Sequence, residues 1–324
     1  SWRPDITTKI DLVEEIIRIK GLDSIKSIEP SKIRNNQTLN NHQKHFHLTQ
    51  RSIACKGYLE AITWSFANEK VNNHFLNSKI SNKLVNPISS DLGVLRSSIF
   101  SNLVEKIREN IDRGENNISL FEVGPIFEGK EPGEQSICAC AISAGLASNP
   151  NWNEKERLLD VFDVKRDLLH TLYELGTTKN QISIETTNLP NYYHPGKSGN
   201  ISFSNNINNH FASFGELHPN IINKLDIKTN ALVGFELNLD KYVALKGLNN
   251  KPKNKYEFSE YQRSERDFAF IVDKNIQAQE LLNLIKNVDL NLIKDISIFD
   301  VYEGEKIPNG KKSLAFKVMI QSDN

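Results

Sequence analysis

Apolar residues first recur at helical spacing in "IDLVEEIIRIK", where Leu12, Ile16 and Ile19 share one face and Val13 and Ile17 lie beside them. That pattern predicts a helix from Thr8 to Lys20, ended by Gly21. The stretch "KSIEPSKIRNNQTLNN" has no period and reads as a linker. A second helix is predicted at Lys44–Gly57, and "EAITWSF" after it reads as a strand. Beyond the Asn86-Pro87 turn, Ile99, Leu103, Ile107 and Ile111 fall four residues apart, which predicts a helix closed by Gly114. The runs "ISLFEVGPIF" and "ICACAIS" carry the hairpin signature of an antiparallel sheet. A helix at Asp160–Leu175 follows, then four strands: "ISIET", "SGNISF", "HFASFGEL" and "ALVGFELNL".

After the polar segment Asn249–Glu257 the pattern changes. "RDFAFIVD" predicts a strand, "AQELLNLIKNV" a helix, and "IKDISIFDVYEG" and "SLAFKVMIQ" two further strands, with Leu314, Phe316, Val318 and Ile320 alternating to one side. This βαββ order is the first two-thirds of a ferredoxin-like unit. The expected fold class is therefore α+β: an antiparallel sheet flanked by helices, followed by a partial ferredoxin-like domain.

Composition narrows the function classes. Lys+Arg and Asp+Glu both number 40 in 324 residues, so any contact with nucleic acid must come from local patches. No apolar run approaches the ~20 residues that cross a bilayer, and no leader pattern is present, which points to the cytoplasm. Cys55, Cys138 and Cys140 form no CxxC pair; Cys138 and Cys140 alternate with alanines and read as buried thiols on one strand face. The start at Ser1-Trp2-Arg3-Pro4 and the incomplete βαββ pattern are those expected of part of a longer protein.

Three groups of residues could carry chemistry. Asp11, Glu14 and Glu15 sit at i, i+3 and i+4 on the first helix, and Asp5 lies six residues upstream of Asp11. Such oxygens suit a hard cation, and they equally suit an acidic first helical turn with Glu14 facing Arg18. The histidines are weaker candidates: His42, His45 and His47 have no completing ligand, and His194 and His218 precede prolines and read as turn elements. Arg263, Arg266, Lys306, Lys311 and Lys312 border the terminal domain's strands and could position an RNA through its phosphates. "HPGKSG" lacks the spacing of a phosphate loop and reads as a turn entering a strand.

Eight blocks in order resemble the C-terminal portion of the β subunit of bacterial phenylalanine–tRNA ligase. They are "SWRPDI…IDLVEEIIRIKGLDSI", "LVNPISSDLGVLRSSIFSNLVEKIRENIDRG", "LFEVGPIF", "YYHPGKSGNI", "FGELHP", "GFELNLD", "SEYQRSERDFAFIVD" and "FDVYEGEKIPNGKKSLAFKVMIQ". The resemblance implies the end of a small helical metal-associated domain (1–28), a non-catalytic module of class II synthetase type (40–247) and a partial ferredoxin-fold anticodon-binding domain (256–324). It implies Mg²⁺ on Asp5, Asp11, Glu14 and Glu15 near an α-subunit contact, assembly of two α with two β chains, and binding of phenylalanine tRNA. ATP-dependent attachment of phenylalanine would then be catalysed by α. "LFEVGPIF" and "LVGFELNLD" resemble the two class II strands that bear phosphate-gripping arginines, yet neither contains an arginine. Two other expectations compete. A self-sufficient ligase paralogue would show ATP–pyrophosphate exchange alone, and a stand-alone RNA-binding or regulatory module would remain a stable monomer.

Overall fold

The computed structural model describes residues 2–29, 38–76, 82–247 and 258–322; the Asn249–Glu257 linker and half of the first one, residues 30–37, lie outside them. Two compact units result, Ser1–Asn250 and Lys251–Asn324.

The first unit begins with α1 (Lys9–Lys20), α2 (Asn41–Ala54), β1 (Leu59–Glu60), β2 (Phe66–Ala67) and α3 (Glu69–Asn72). It continues through β3 (Asn82–Lys83), β4 (Val94–Leu95), α4 (Phe100–Ile111), β5 (Ile118–Phe127), β6 (Gln135–Ala144) and α5 (Val161–Glu174). β7 (Ile182–Glu185), β8 (Tyr193–Phe203), β9 (Ala212–Leu217), α6 (Pro219–Lys224), β10 (Leu232–Asn238) and α7 (Leu239–Gly247) complete it.

Seven strands join in the order β1-β5-β6-β10-β9-β8-β7. The expected antiparallel sheet is in fact mixed, because β1 runs parallel to β5 at one edge. Strand alternation builds two cores. Phe121, Val123, Ala139, Ala141, Val233 and Phe235 face Ile53, Val164, Leu168, Leu172 and Tyr242 from α2, α5 and α7. The opposite face sets Cys138, Cys140 and Ile142 against Phe100, Leu103, Val104 and Ile107 of α4 and against Tyr192 and Tyr193. Both thiols are buried as expected, and burial pushes their pKa values well up, so they are inert. The predicted stripe of α4 is fully used, each of its four residues being at most 7% exposed.

Two expected boundaries move for local reasons. α2 starts at Asn41 rather than Lys44, because Asn40 accepts from Gln43 N–H while the Gln43 side chain accepts from Asn40 N–H. That capping box fixes the helix start ahead of its first apolar residue. "EAITWSF" is not one strand but two fragments, β1 and β2. Asn102 Nδ2 donates to the carbonyl of Trp64, just before β2, and to that of Phe66 within it, while Ala61 N–H and Ser65 O keep backbone partners in Phe121 and Arg96. "HPGKSG" lies within β8 at a register shift, where Ser198 Oγ donates to His194 O at 2.6 Å.

α1 keeps the predicted amphipathic pattern, but none of its residues is buried, and Leu12, Val13, Ile16 and Ile19 are exposed.

The second unit holds β11 (Ser264–Asp273), α8 (Ala278–Val288), β12 (Ile293–Tyr302) and β13 (Lys311–Ile320), in the sheet order β11-β13-β12. This is the expected βαββ topology. Leu314, Phe316 and Val318 are buried on one side of β13, as their alternation predicts, and Ile320 is partly buried.

Candidate functional site

The acidic turn of α1 is occupied by cations and amides of the chain itself. Arg3 Nη2 lies 2.6 Å from Asp5 Oδ2 and 3.0 Å from Glu15 Oε1, and Arg3 Nε reaches Asp5 Oδ1 at 2.9 Å. Arg18 Nη2 reaches Glu15 Oε2 at 2.6 Å. Asp11 Oδ2 accepts from Thr7 N–H at 2.8 Å and Thr8 N–H at 2.6 Å, which closes the helix start. The Arg3 guanidinium holds the Asp5 carboxyl at about 2. Thr8 and then Thr7 amides lower Asp11, and Arg18 and then Arg3 lower Glu15. Arg3 and Glu15 were brought together by folding; Glu14 takes no part. Among the described residues no three His, Cys, Asp or Glu side chains converge in a geometry that could hold an ion. The residue types suit a hard dication, and ligation by all four carboxylates would require Arg3 to leave Asp5 and Glu15.

His194 and His218 behave as turn elements. Nδ1 of His194 accepts Gly196 N–H and Nδ1 of His218 accepts Asn220 N–H, each at 3.1 Å, with the two rings stacked 6.3 Å apart. His45 Nδ1 bonds Asn41 O, and His47 Nδ1 bonds Gln50 Oε1.

A second polar site lies on the α4 side of the large sheet, and its residues were missed from sequence. Register aligns Glu122 of β5, Cys140 of β6, Glu236 of β10, Ser213 of β9 and Asn200 of β8 in one row. Glu122 and Glu236 are the only charged residues of β5 and β10. Arg96, at the end of β4, is 1% exposed and meets Glu122 at 2.7 Å. Its Nε donates to Pro125 O at 2.8 Å and its Nη1 to Thr63 Oγ1 at 2.9 Å, while Thr63 Oγ1 donates to Glu122 Oε2 at 2.6 Å. Gly124 makes room for this: a Cβ there would stand 2.6 Å from Arg96 Nη2. Glu236 accepts from Ser98 Oγ and from Tyr192 OH, the latter at 2.5 Å.

Glu236 retains some exposure, but burial of its carboxyl raises its pKa, against the opposing pull of the Ser98 and Tyr192 hydroxyls. A carboxyl whose folded pKa lies above its unfolded value gives stability that is complete below the unfolded pKa and is lost as pH rises through the folded one. Glu236→Gln should therefore flatten the fall in urea midpoint with rising pH. The variant's advantage should grow through that window and then level off; a gap independent of pH would remove Glu236 as the titrating group. The signal available in sequence was a lone acid inside each apolar run, "LFEVG" and "GFELN".

Chemically, these two strands present acids where phosphate binding needs cations, and the nearby cation is already paired.

The five basic residues of the second unit do not form one group. Ser264 pairs with Ile320 and Asp273 with Lys311, so Arg263 lies at one end of the sheet and Lys311 and Lys312 at the other, roughly 30 Å away at ~3.3 Å per residue, while Arg266, opposite Val318, stands roughly 20 Å from them. Arg263 Nε donates to Gln321 Oε1 at 3.3 Å, and Arg266 Nη1 to Glu265 O at 2.8 Å. Lys312 Nζ donates to Lys274 O at 3.0 Å, and Lys311 Nζ stands 3.8 Å from Asp273 Oδ1. Lys306 is exposed in the β12–β13 loop.

Comparison with known families decides the assignment. Residues 25–239 match the phenylalanyl tRNA synthetase beta chain CLM domain. The chain belongs to the phenylalanyl-tRNA synthetase β-chain family. Residues 259–324 match the ferredoxin-fold anticodon binding domain. A phenylalanine–tRNA ligase beta subunit of Paramagnetospirillum magneticum is 39% identical over 322 residues, covering 99% of this chain and 40% of that protein. The Rickettsia prowazekii beta subunit is 35% identical over 325 residues, covering all of this chain and 39% of its own length. The chain thus spans about two-fifths of the curated relatives it matches. Among solved structures, a pyrrolysyl tRNA synthetase of Desulfitobacterium hafniense aligns over 63% of this chain and 68% of its own, at 13% identity and a TM-score of 0.46. Among the described residues of this family member, no helix is long and apolar enough to cross a membrane.

Proposed function

We propose that this chain is the assembly and tRNA-binding part of a cytoplasmic phenylalanine–tRNA ligase β subunit. It supports ATP-dependent attachment of phenylalanine to its tRNA, while a separate α subunit supplies the catalytic groups in an assembly of two α and two β chains. The observation that carries this reading is the row holding Glu122 and Glu236, with Arg96 bound to Glu122. That row offers an ATP triphosphate no available cation, since Arg96 is held by Glu122, Thr63 and Pro125. The role left to the module is contact, and Leu59, Ile62 and Trp64, exposed by 66, 92 and 67%, supply an apolar edge for it.

Mixing the chain with α should give a stable complex, and the chain alone should show no ATP–pyrophosphate exchange. Exchange by the chain alone would overturn this assignment in favour of a self-sufficient ligase, and a chain that stays monomeric beside α at micromolar concentration would favour a stand-alone RNA-binding module.

Asp5, Asp11, Glu14 and Glu15 are proposed to bind one Mg²⁺ near the α contact, with Arg3 displaced from Asp5 and Glu15. Calorimetric titration of the α–β complex with Mg²⁺ should give saturable binding that Glu14→Gln weakens, and chelation should weaken subunit affinity. Absence of binding heat, with affinity unchanged by chelator, would leave Arg3 as the cation of this turn.

A further inference from the structure

Asn309-Gly310 is the single Asn-Gly step in the sequence, and it lies between Lys306 and the pair Lys311 and Lys312. Lys311 N–H donates to Pro308 O at 3.1 Å, closing a four-residue turn with Gly310 at its third position and φ of +84°. Asn309 itself has no positive φ, so the turn is of type II, which favours glycine at that position. Both residues are exposed, and a Cβ on Gly310 would meet nothing within 4 Å. Among the described residues neither the Asn309 side-chain amide nor Gly310 N–H has a hydrogen-bond partner, whereas Gly310 O accepts from Lys274 N–H at 3.0 Å.

We infer that Asn309 is a site of spontaneous deamidation that lowers the RNA affinity of the lysine loop. The Gly310 nitrogen, having lost its proton to solvent, attacks Asn309 Cγ. The new N–C bond forms, the Cγ–N bond breaks and ammonia departs, leaving a five-membered succinimide. Water then adds to either carbonyl and opens the ring to aspartate or isoaspartate, with no change of oxidation state. The attack requires Asn309 to rotate about its Cα–C bond out of the type II geometry, which an exposed turn allows, and glycine leaves its nitrogen unshielded by any side chain. At other asparagines of this chain the following residue carries a side chain. The product places a carboxylate among Lys306, Lys311 and Lys312, where Asp273 and Glu303 already draw on Lys311 and Lys274. Isoaspartate also lengthens the main chain by one methylene inside the turn that sets these lysines.

The consequence for RNA rests on the tRNA-binding reading above; the chemistry does not. Incubating the intact α–β complex at pH 8.5 and mapping peptides by mass should show loss of the amide at Asn309 ahead of other asparagines. The rate should fall at pH 6 and vanish at that position in Asn309→Gln. Phenylalanine tRNA binding at low salt should weaken about two- to fivefold in Asn309→Asp and remain unchanged in Asn309→Gln. An Asn309 that keeps its amide while the urea-unfolded chain loses it would overturn the inference, as would Asn309→Asp binding tRNA like wild type when a Lys306/Lys311/Lys312 triple alanine variant does not. If that triple variant also binds normally, the tRNA reading of this loop fails while deamidation still stands on the peptide map.

Discussion

Arg96→Ala should cost the first unit about 3–5 kcal/mol in urea unfolding, because removing one member of a buried ion pair leaves the other charge uncompensated. Among the described residues Glu122, 5% exposed, would keep the Thr63 hydroxyl and amide as partners of its side chain. The loss reaches further than one contact. Arg96 N–H donates to Ser65 O and Arg96 O accepts from Phe127 N–H, so the residue ties the small β2-β4-β3 sheet to β5 of the large one. The control is a double change, Arg96→Met with Glu122→Leu, which removes both charges. It should be far less damaging than Arg96→Ala, since an apolar pair of similar volume often equals a buried ion pair in stability. If the double variant is as unstable as the single one, the ion pair is not what links these two sheets.

Trp64→Ala should lower affinity for α by about 2–4 kcal/mol, roughly 30- to 700-fold, if the Leu59–Trp64 edge is the contact. Ile62→Asp should act in the same direction by placing a charge where water is excluded. Neither change should move the urea midpoint of the isolated chain much, because both side chains are more than half exposed there. That contrast is the diagnostic: affinity lost with stability retained marks an interface residue. Unchanged affinity in both variants would move the α contact elsewhere on the module.

The sequence alone determined the elements whose apolar period is long and unbroken. The stripe Ile99, Leu103, Ile107 and Ile111 could be buried only as one helix face, and the alternation of Cys138 and Cys140 with alanines only as a strand. It also determined the βαββ order of the second unit, because turn residues separate each periodic run. Side-chain hydrogen bonding set the boundaries that period could not. The Asn40–Gln43 box moved the start of α2, and the Asn102 side chain holds the carbonyls of Trp64 and Phe66 where "EAITWSF" passes from one sheet to another. Register belonged to the tertiary structure. Residues more than a hundred positions apart, Glu122 and Glu236, share one row because β6 lies between β5 and β10. A lone acid in an apolar run gives no sign of its partner, and Arg96 reaches Glu122 across sheets. The same limit holds for the five basic residues that border β11 and β13: antiparallel pairing, which their positions in sequence do not reveal, sends the start of β11 and the start of β13 to opposite ends of their sheet.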